Sequence, residues 1–169
     1  MKDQAEALRK QLQQSNRKGS KSIAVVSGKG GVGKSNFSLN FAISLSKRGN
    51  KVLLFDMDIG MGNIDILLGN QAKSSIVDFF DGKETLSNII SEGPEHLHYI
   101  AGGSGLERLM TLDDETFSSF TDELSSIMGD YQYIIFDMGA GVTKESLSFI
   151  LSVDEIIVVT TPEPTSITD

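Results

Sequence analysis

The chain of 169 residues has the length of a single α/β domain with a substantial core, and its net charge is −8. It contains no cysteine, which excludes a disulfide scaffold and an iron–sulfur carrier, because both need cysteine sulfurs. No run of 18 apolar residues occurs and the N-terminus lacks an apolar stretch, so we predict neither a membrane-spanning helix nor a secretory signal. We therefore expect a cytoplasmic protein.

The charge is unevenly distributed along the chain. Residues 1–22 carry six of the 15 Lys and Arg but only two of the 23 Asp and Glu, which leaves the remainder at −12. An acidic body argues against broad DNA binding, because such binding depends on cations that neutralise phosphates.

The first predicted element is a short helix over residues 1–14, whose apolar stripe consists of Ala5, Leu8 and Leu12. A flexible basic linker over residues 15–21 connects it to a domain over residues 22–169. The composition leaves two interpretations open: a disordered tail, or a detachable helix that folds onto a partner.

A glycine-rich stretch follows the predicted strand 23–26 and precedes a helix that is apolar nearly all round, which predicts burial beneath a sheet. It matches the phosphate-binding pattern G-x-x-x-x-G-K-[ST], in which glycines let the backbone curl around a phosphate at a helix N-terminus. Lys34 is suited to neutralise the outer phosphates, and the Ser35 hydroxyl to ligate Mg²⁺. The predicted nucleotide-binding residues are Gly28, Lys29, Gly30, Gly31, Val32, Gly33, Lys34, Ser35 and Asn36.

Two further apolar runs, residues 52–55 and 131–136, end in the acids Asp56 and Asp137. Buried parallel strands present such acids at their carboxyl edge, where ligands bind in these sheets. Asp58, two residues beyond Asp56, is predicted to lie in a switch loop that faces the γ-phosphate. The alternative is an aspartate that serves only a turn or a helix cap.

The rest of the chain continues the alternation of strands and helices. The predicted helices cover residues 75–81, 85–91, 111–128 and 143–152, and the predicted strands residues 97–101 and, as a buried strand, 155–161. This alternation predicts an α/β fold with a mostly parallel central sheet flanked by helices.

These motifs resemble the MinD/ParA family of P-loop ATPases. Lys29, directly after the first glycine, gives the loop that family's deviant form, K-G-G-x-G-K-S. Residues 60–69, 102–106, 137–141 and 161–165 resemble the FlhG (YlxH) branch, which regulates flagellar number. Residues 3–9, D-Q-A-E-A-L-R, resemble the D-Q-A-x-x-L-R motif through which that branch stimulates the GTPase FlhF.

The resemblance implies a P-loop NTPase fold whose C-terminal part is missing from these residues, and a slow regulatory ATPase that uses ATP and Mg²⁺. The implied catalytic residues are Lys29, Lys34 and Asp58, and the implied magnesium residues are Ser35, Asp56 and Asp137. Ser35 would ligate Mg²⁺ directly, while Asp56 and Asp137 would hold its waters. Asp58 would orient or deprotonate the attacking water, and Lys29 would reach the nucleotide of a second subunit in an ATP-dependent homodimer.

The implied partners are an FlhF-type GTPase, contacted through Gln4, and flagellar C-ring proteins. In the family an amphipathic C-terminal helix, absent from these residues, attaches the ATP-bound protein to the inner face of the cell membrane. Nucleic acid is not expected among the partners. Two alternatives stay open: a DNA-riding or division-positioning ATPase of ParA or MinD type, and a metabolic ligase or kinase on the same fold.

Overall fold

The computed structural model describes residue 10 and residues 19–58, 64–69, 72–102, 114–141, 147 and 149–162. Its strands are β1 (Lys21–Val26), β2 (Val52–Met57), β3 (Ile90–Glu92), β4 (His98–Ile100), β5 (Tyr133–Met138) and β6 (Glu155–Val158). Its helices are α1 (Lys34–Lys47), α2 (Ile64–Leu68), α3 (Ile76–Phe80) and α4 (Asp114–Met128), with a short 3₁₀ helix at Pro94–His96.

The strands form one sheet in the order β3-β4-β2-β5-β1-β6. Every neighbouring pair is parallel except β3 and β4, which are antiparallel. This confirms the predicted mostly parallel α/β sheet. Because β5 lies between β1 and β2, the chain crosses over it, and ligands of such sheets bind beside a crossover of this kind. The register places Asp56 of β2 directly opposite Asp137 of β5.

Helices cover both faces of the sheet, so the central strands are buried on both sides. On one face, aromatic rings of the sheet and α4 pack together, with ring centroids 5.7 Å apart for Phe55 and Phe136 and 6.4 Å apart for Phe55 and Phe120. On the other face, Leu39 and Ala42 of α1 pack in a second cluster of buried residues with strands β2 and β5. This arrangement explains why β2 and β5 are apolar up to the acid near their carboxyl ends.

Helix α1 packs beneath the sheet as predicted, but the prediction that it is apolar nearly all round does not describe which side is buried. Its buried side includes Ser38 and Ser46, whereas Phe37 is 39% exposed and stacks on Phe41 with ring centroids 5.7 Å apart. A helix in the outer layer of a sheet protein faces solvent on one side, because within the described residues no further layer covers it.

The predicted helix over residues 75–81 is confirmed as α3, which begins with a capping box between Ser75 and Asp78. The prediction of a second helix over residues 85–91 was wrong. Residues 86–89 form a turn, and β3 follows because its backbone pairs with β4. Long-range pairing outweighed the local helix pattern here, since tertiary context readily overrides propensity.

The last strand is correctly placed but is not buried as predicted. Strand β6 lies at the sheet edge and leaves Ile156 46% and Val158 67% exposed. Its connection to β1 is polar: the Asp154 carboxylate accepts hydrogen bonds from the Ser22 amide at 2.8 Å and from the Ser22 hydroxyl at 2.7 Å.

Several predicted segments lie partly or wholly outside the described residues. The N-terminal helix is described only at Lys10, which is helical, and β1 begins one residue before the predicted domain start. Only residues 147, 149 and 150 of the predicted helix over 143–152 are described as helical. No helix in the described part of the chain is long and apolar enough to cross a bilayer.

Candidate nucleotide-binding site

The glycine-rich loop joins the end of β1 directly to the start of α1. Gly31 and Gly33 adopt φ angles of 79° and 89°, a left-handed conformation that side chains disfavour. The Gly33 carbonyl accepts the Phe37 amide at 2.9 Å, which continues the turn into the helix. The strand, turn and helix context that the motif requires is therefore present.

The start of α1 is suited to an anion. No side chain caps its N-terminus, and its first turn contains no acidic residue. Uncapped amide groups and the positive end of the helix dipole together favour a phosphate. Among the loop residues, those open to solvent are Gly28, Gly30, Gly31, Gly33 and Asn36; Lys29, Val32 and Ser35 are partly exposed, and Lys34 is buried.

The buried side of the site consists of a lysine, an acid and a serine. The Lys34 Nζ atom lies 2.7 Å from Asp137 Oδ1, and the two side chains are 6% and 0% exposed. The Ser38 hydroxyl donates to the same oxygen at 2.8 Å. The Ser35 Oγ atom lies 3.5 Å from Lys34 Nζ. Residues from the loop, from α1 and from β5 thus meet at one point.

The other oxygen of Asp137 offers a test of whether these residues fit Mg²⁺. Asp137 Oδ2 is buried and has no hydrogen-bond partner among the described residues. Mg²⁺ prefers oxygen ligands and is usually held by one or two carboxylates together with substrate phosphates and waters. The Ser35 hydroxyl and the Asp137 carboxylate are oxygen donors of this kind, so the residues present fit a magnesium ion.

Asp56 is buried beside Asp137, but its carboxylate binds backbone amides. Its Oδ1 atom accepts the Asp58 amide at 3.1 Å, and its Oδ2 atom accepts the Ile64 amide at 3.3 Å. Ile64 begins α2, so Asp56 binds both Asp58, which was predicted to lie in a switch loop, and the start of α2. The sequence predicted Asp56 near the metal and did not predict this anchoring contact.

Gly102, two residues beyond β4, packs against the same aspartate. A Cβ atom at this position would lie 2.8 Å from Asp56 Cγ and 3.0 Å from the Asp56 carbonyl oxygen. A glycine is required here because a side chain would displace Asp56. The sequence placed Gly102 in a glycine-rich motif, but did not indicate what it contacts.

The end of the family-like segment 137–141, just after β5, lies against the glycine-rich loop. The Gly141 amide donates to the Ser27 carbonyl at 3.0 Å, and a Cβ atom on Gly30 would lie 3.8 Å from Ala140 Cβ. The segment that follows β5 is therefore in position to respond to whatever the loop binds.

Three predicted site residues remain. Lys29 is partly exposed in the loop, Asp58 is partly buried just after β2, and Gln4 lies outside the described residues. Their roles stay predictions. Sequence reasoning missed Ser38; the available signal was a polar residue one helical turn after Lys34, on the side of α1 that faces the sheet.

Comparison with known proteins assigns this arrangement to a family. A family model described as an AAA domain (AAA_31) matches residues 20–168. The flagellum site-determining protein YlxH of Helicobacter pylori is 41% identical over 155 residues, which cover 91% of this chain and 52% of that protein. The chain belongs to the MinD/ParA family of P-loop ATPases. The resemblance inferred from the motifs is confirmed.

Other MinD/ParA relatives agree with this assignment. The antiactivator FleN of Pseudomonas aeruginosa is 35% identical over 147 residues, covering 87% of this chain and 52% of FleN. The solved structure of MinD with Mg-ADP from Pyrococcus horikoshii superposes with a TM-score of 0.70 at 29% identity, over 88% of this chain and 61% of MinD. The chain thus spans about half the length of the curated relatives that it matches.

Proposed function

We propose that this chain is the ATP-binding part of a dimerising switch that regulates the number or placement of flagella. The observation that supports nucleotide binding best is the meeting of Lys34, Ser35 and Asp137 at an uncapped helix N-terminus. The similarity to YlxH and FleN supports the flagellar role.

In this proposal the loop amides and Lys34 bind the β- and γ-phosphates. Ser35 would ligate Mg²⁺, and Asp56 and Asp137 would hold its waters. When bound, Mg²⁺ neutralises charge on the phosphates. Asp58 orients or deprotonates the attacking water, since phosphoryl transfer depends mainly on positioning and charge stabilisation.

The switch follows from the contacts that the γ-phosphate would add. Asp58, in the predicted switch loop, and Ile64 are hydrogen-bonded to Asp56, and Gly141, after β5, is hydrogen-bonded to Ser27 beside the glycine-rich loop. ATP would order these segments in a way that ADP does not, and thereby favour the dimer. Lys29, partly exposed in the loop, would reach the nucleotide of the second subunit.

The N-terminal motif supplies the proposed link to flagellar assembly. Gln4 would help to position the attacking water of an FlhF-type GTPase, because a glutamine amide both donates and accepts hydrogen bonds without titrating. Flagellar C-ring proteins are further proposed partners. The proposed location is the cytoplasm, with peripheral attachment to the inner face of the cell membrane for the ATP-bound, full-length protein.

Two measurements on the intact chain test these parts separately. Sedimentation with ATP and with ADP tests the switch, and dimers should form with ATP only. FlhF turnover tests the partner, with wild type, Gln4→Ala and the matched control Gln13→Ala. Gln4→Ala should lose most of the stimulation while nucleotide affinity is unchanged, because residues 15–21 separate the motif from the site. Full stimulation by Gln4→Ala would show that Gln4 does not take part in stimulating FlhF.

The likeness to MinD favours a second candidate, a positioning ATPase of cell division or DNA partition. DNA binding that falls steeply with salt would support the partition form, because each neutralised phosphate contributes to that slope. We expect no such binding, since the chain beyond residue 22 carries a net charge of −12.

A further inference from the structure

Ser38 has a contact that its position in the sequence does not explain. It is fully buried in α1, one turn after Lys34, and its hydroxyl lies 2.8 Å from Asp137 Oδ1. The same hydroxyl lies 3.1 Å from the Lys34 carbonyl oxygen. The hydroxyl has one proton to donate. We expect it to donate to the Asp137 carboxylate rather than to the Lys34 carbonyl, because hydrogen bonds to charged acceptors are stronger.

Ser46 on the same helix provides an internal comparison. It is also buried, at 8% exposure, but its hydroxyl has no hydrogen-bond partner among the described residues. Alanine is a better helix former than serine and would fill either position. Burial in α1 therefore does not by itself account for a serine at position 38, whereas contact with Asp137 does.

The distribution of donors on Asp137 is uneven. Lys34 and Ser38 both approach Oδ1, while the buried Oδ2 atom has no partner in the described part of the chain. A buried acceptor without a donor is destabilising, because it has lost its hydrogen bonds to water without replacement. The carboxylate is thus held through one oxygen, and the other oxygen remains available for a ligand.

Phosphates at the loop would compete with Asp137 for the Lys34 ammonium group. Its three N–H donors would have to be shared between the two, or it would move from the carboxylate to the phosphates. Once Lys34 turns to the phosphates, Ser38 is the remaining donor of the two on Oδ1. Without that donor, the carboxylate would be free to rotate and both oxygens would lack a fixed partner.

We propose that Ser38 is a positioning residue that keeps Asp137 oriented toward the magnesium site when Lys34 binds the phosphates. This inference rests on the proposed nucleotide-binding function. Ser38 acts through Asp137 and touches neither metal nor nucleotide. Second-sphere partners of this kind typically change metal affinity by about 10- to 100-fold when they are removed.

The test is equilibrium binding of fluorescent N-methylanthraniloyl-ADP to the intact chain, with Mg²⁺ titrated from zero and with EDTA present. In Ser38→Ala, the Mg²⁺ concentration at half-maximal enhancement of binding should rise about 10-fold. The affinity measured in EDTA should stay within about two-fold of wild type, because Lys34 and the loop are intact. The matched variant Ser46→Ala should behave as wild type in both conditions.

Each contrary outcome has a distinct meaning. An unchanged Mg²⁺ requirement in Ser38→Ala overturns the inference and leaves the proposed function intact. An equal loss of affinity with Mg²⁺ and with EDTA also overturns it, since that result is expected of a purely structural serine. If the wild-type chain does not bind the nucleotide at all, the proposed function fails and the inference fails with it.

Discussion

Replacing Lys34 by methionine should destabilise the protein even when no nucleotide is present. Methionine retains much of the length and apolar stem of lysine but removes the ammonium group. In the structure that group is 2.7 Å from Asp137 Oδ1, and the two side chains are 6% and 0% exposed. The variant therefore leaves a buried carboxylate without its counterion.

The size of the effect follows from this burial. Removing one partner of a buried ion pair costs about 3–5 kcal/mol, because the remaining charge is uncompensated. Ser38 still donates to Asp137, so we expect the lower end, about 3 kcal/mol. A domain is stable by about 5–15 kcal/mol in total, so the change should be plain in an unfolding curve.

The assay is urea unfolding of the nucleotide-free chain, run as a double-mutant cycle with Asp137→Leu. Each single variant leaves one buried charge unpaired, whereas the double variant leaves none. The two effects should therefore fall short of additivity by at least about 2 kcal/mol. Lys83→Met is the control, because Lys83 pairs with Asp81 at 3.0 Å with its own side chain 64% exposed. Exposed pairs contribute about 0–1 kcal/mol.

Two results would refute this reasoning. One is a Lys34→Met protein as stable as wild type. The other is additivity within about 0.5 kcal/mol, as found for independent sites. The experiment also bears on how nucleotide-binding defects of Lys34 variants are understood, because an unstable protein and a lost phosphate contact both lower binding.

Four further substitutions test other parts of the site and fold. Asp58→Ala should keep ATP binding but slow phosphate release by about 10²-fold, and wild-type turnover would remove its assigned role. Lys29→Ala should bind nucleotide but should not dimerise when ATP is added. ATP-induced dimers of this variant in sedimentation would show that Lys29 is not needed for dimerisation. Gly102→Ala should cost about 1–3 kcal/mol in urea unfolding, since its methyl group would overlap Asp56, and an unchanged midpoint would contradict that contact. Burial raises the pKa of Tyr131 to about 12. Its phenol ionises near pH 10 in the unfolded chain, so wild type should lose about 2–3 kcal/mol between pH 10 and pH 12. Tyr131→Phe should not show that part of the loss, and identical alkaline unfolding curves would contradict the raised pKa.

Local pattern was sufficient to identify the loop, most of the helices and strands, and the two acids at strand ends. The predicted phosphate-binding residues are consecutive, at positions 28–35. The apolar runs before Asp56 and Asp137 indicate buried parallel strands. These features depend on neighbours within a few residues, so a sequence displays them directly.

Only the tertiary structure showed which segments pair when they are distant in the sequence, and which strand lies at the edge of the sheet. Ile90–Glu92 became a strand because it pairs with β4, against its local helix pattern. Apolar residues 156 and 158 are exposed because β6 is an edge strand, and composition does not distinguish an edge strand from a central one.

The contacts of the site depend on the same long-range packing. Asp137 contacts Ser38 and Lys34, which are 99 and 103 residues away in the sequence. Gly102 follows β4 and contacts Asp56 on the adjacent strand β2. The sequence determined which chemical groups were present and which of them begin or end a strand or helix. Only the sheet order, which brings β5 between β1 and β2, decided which of those groups touch.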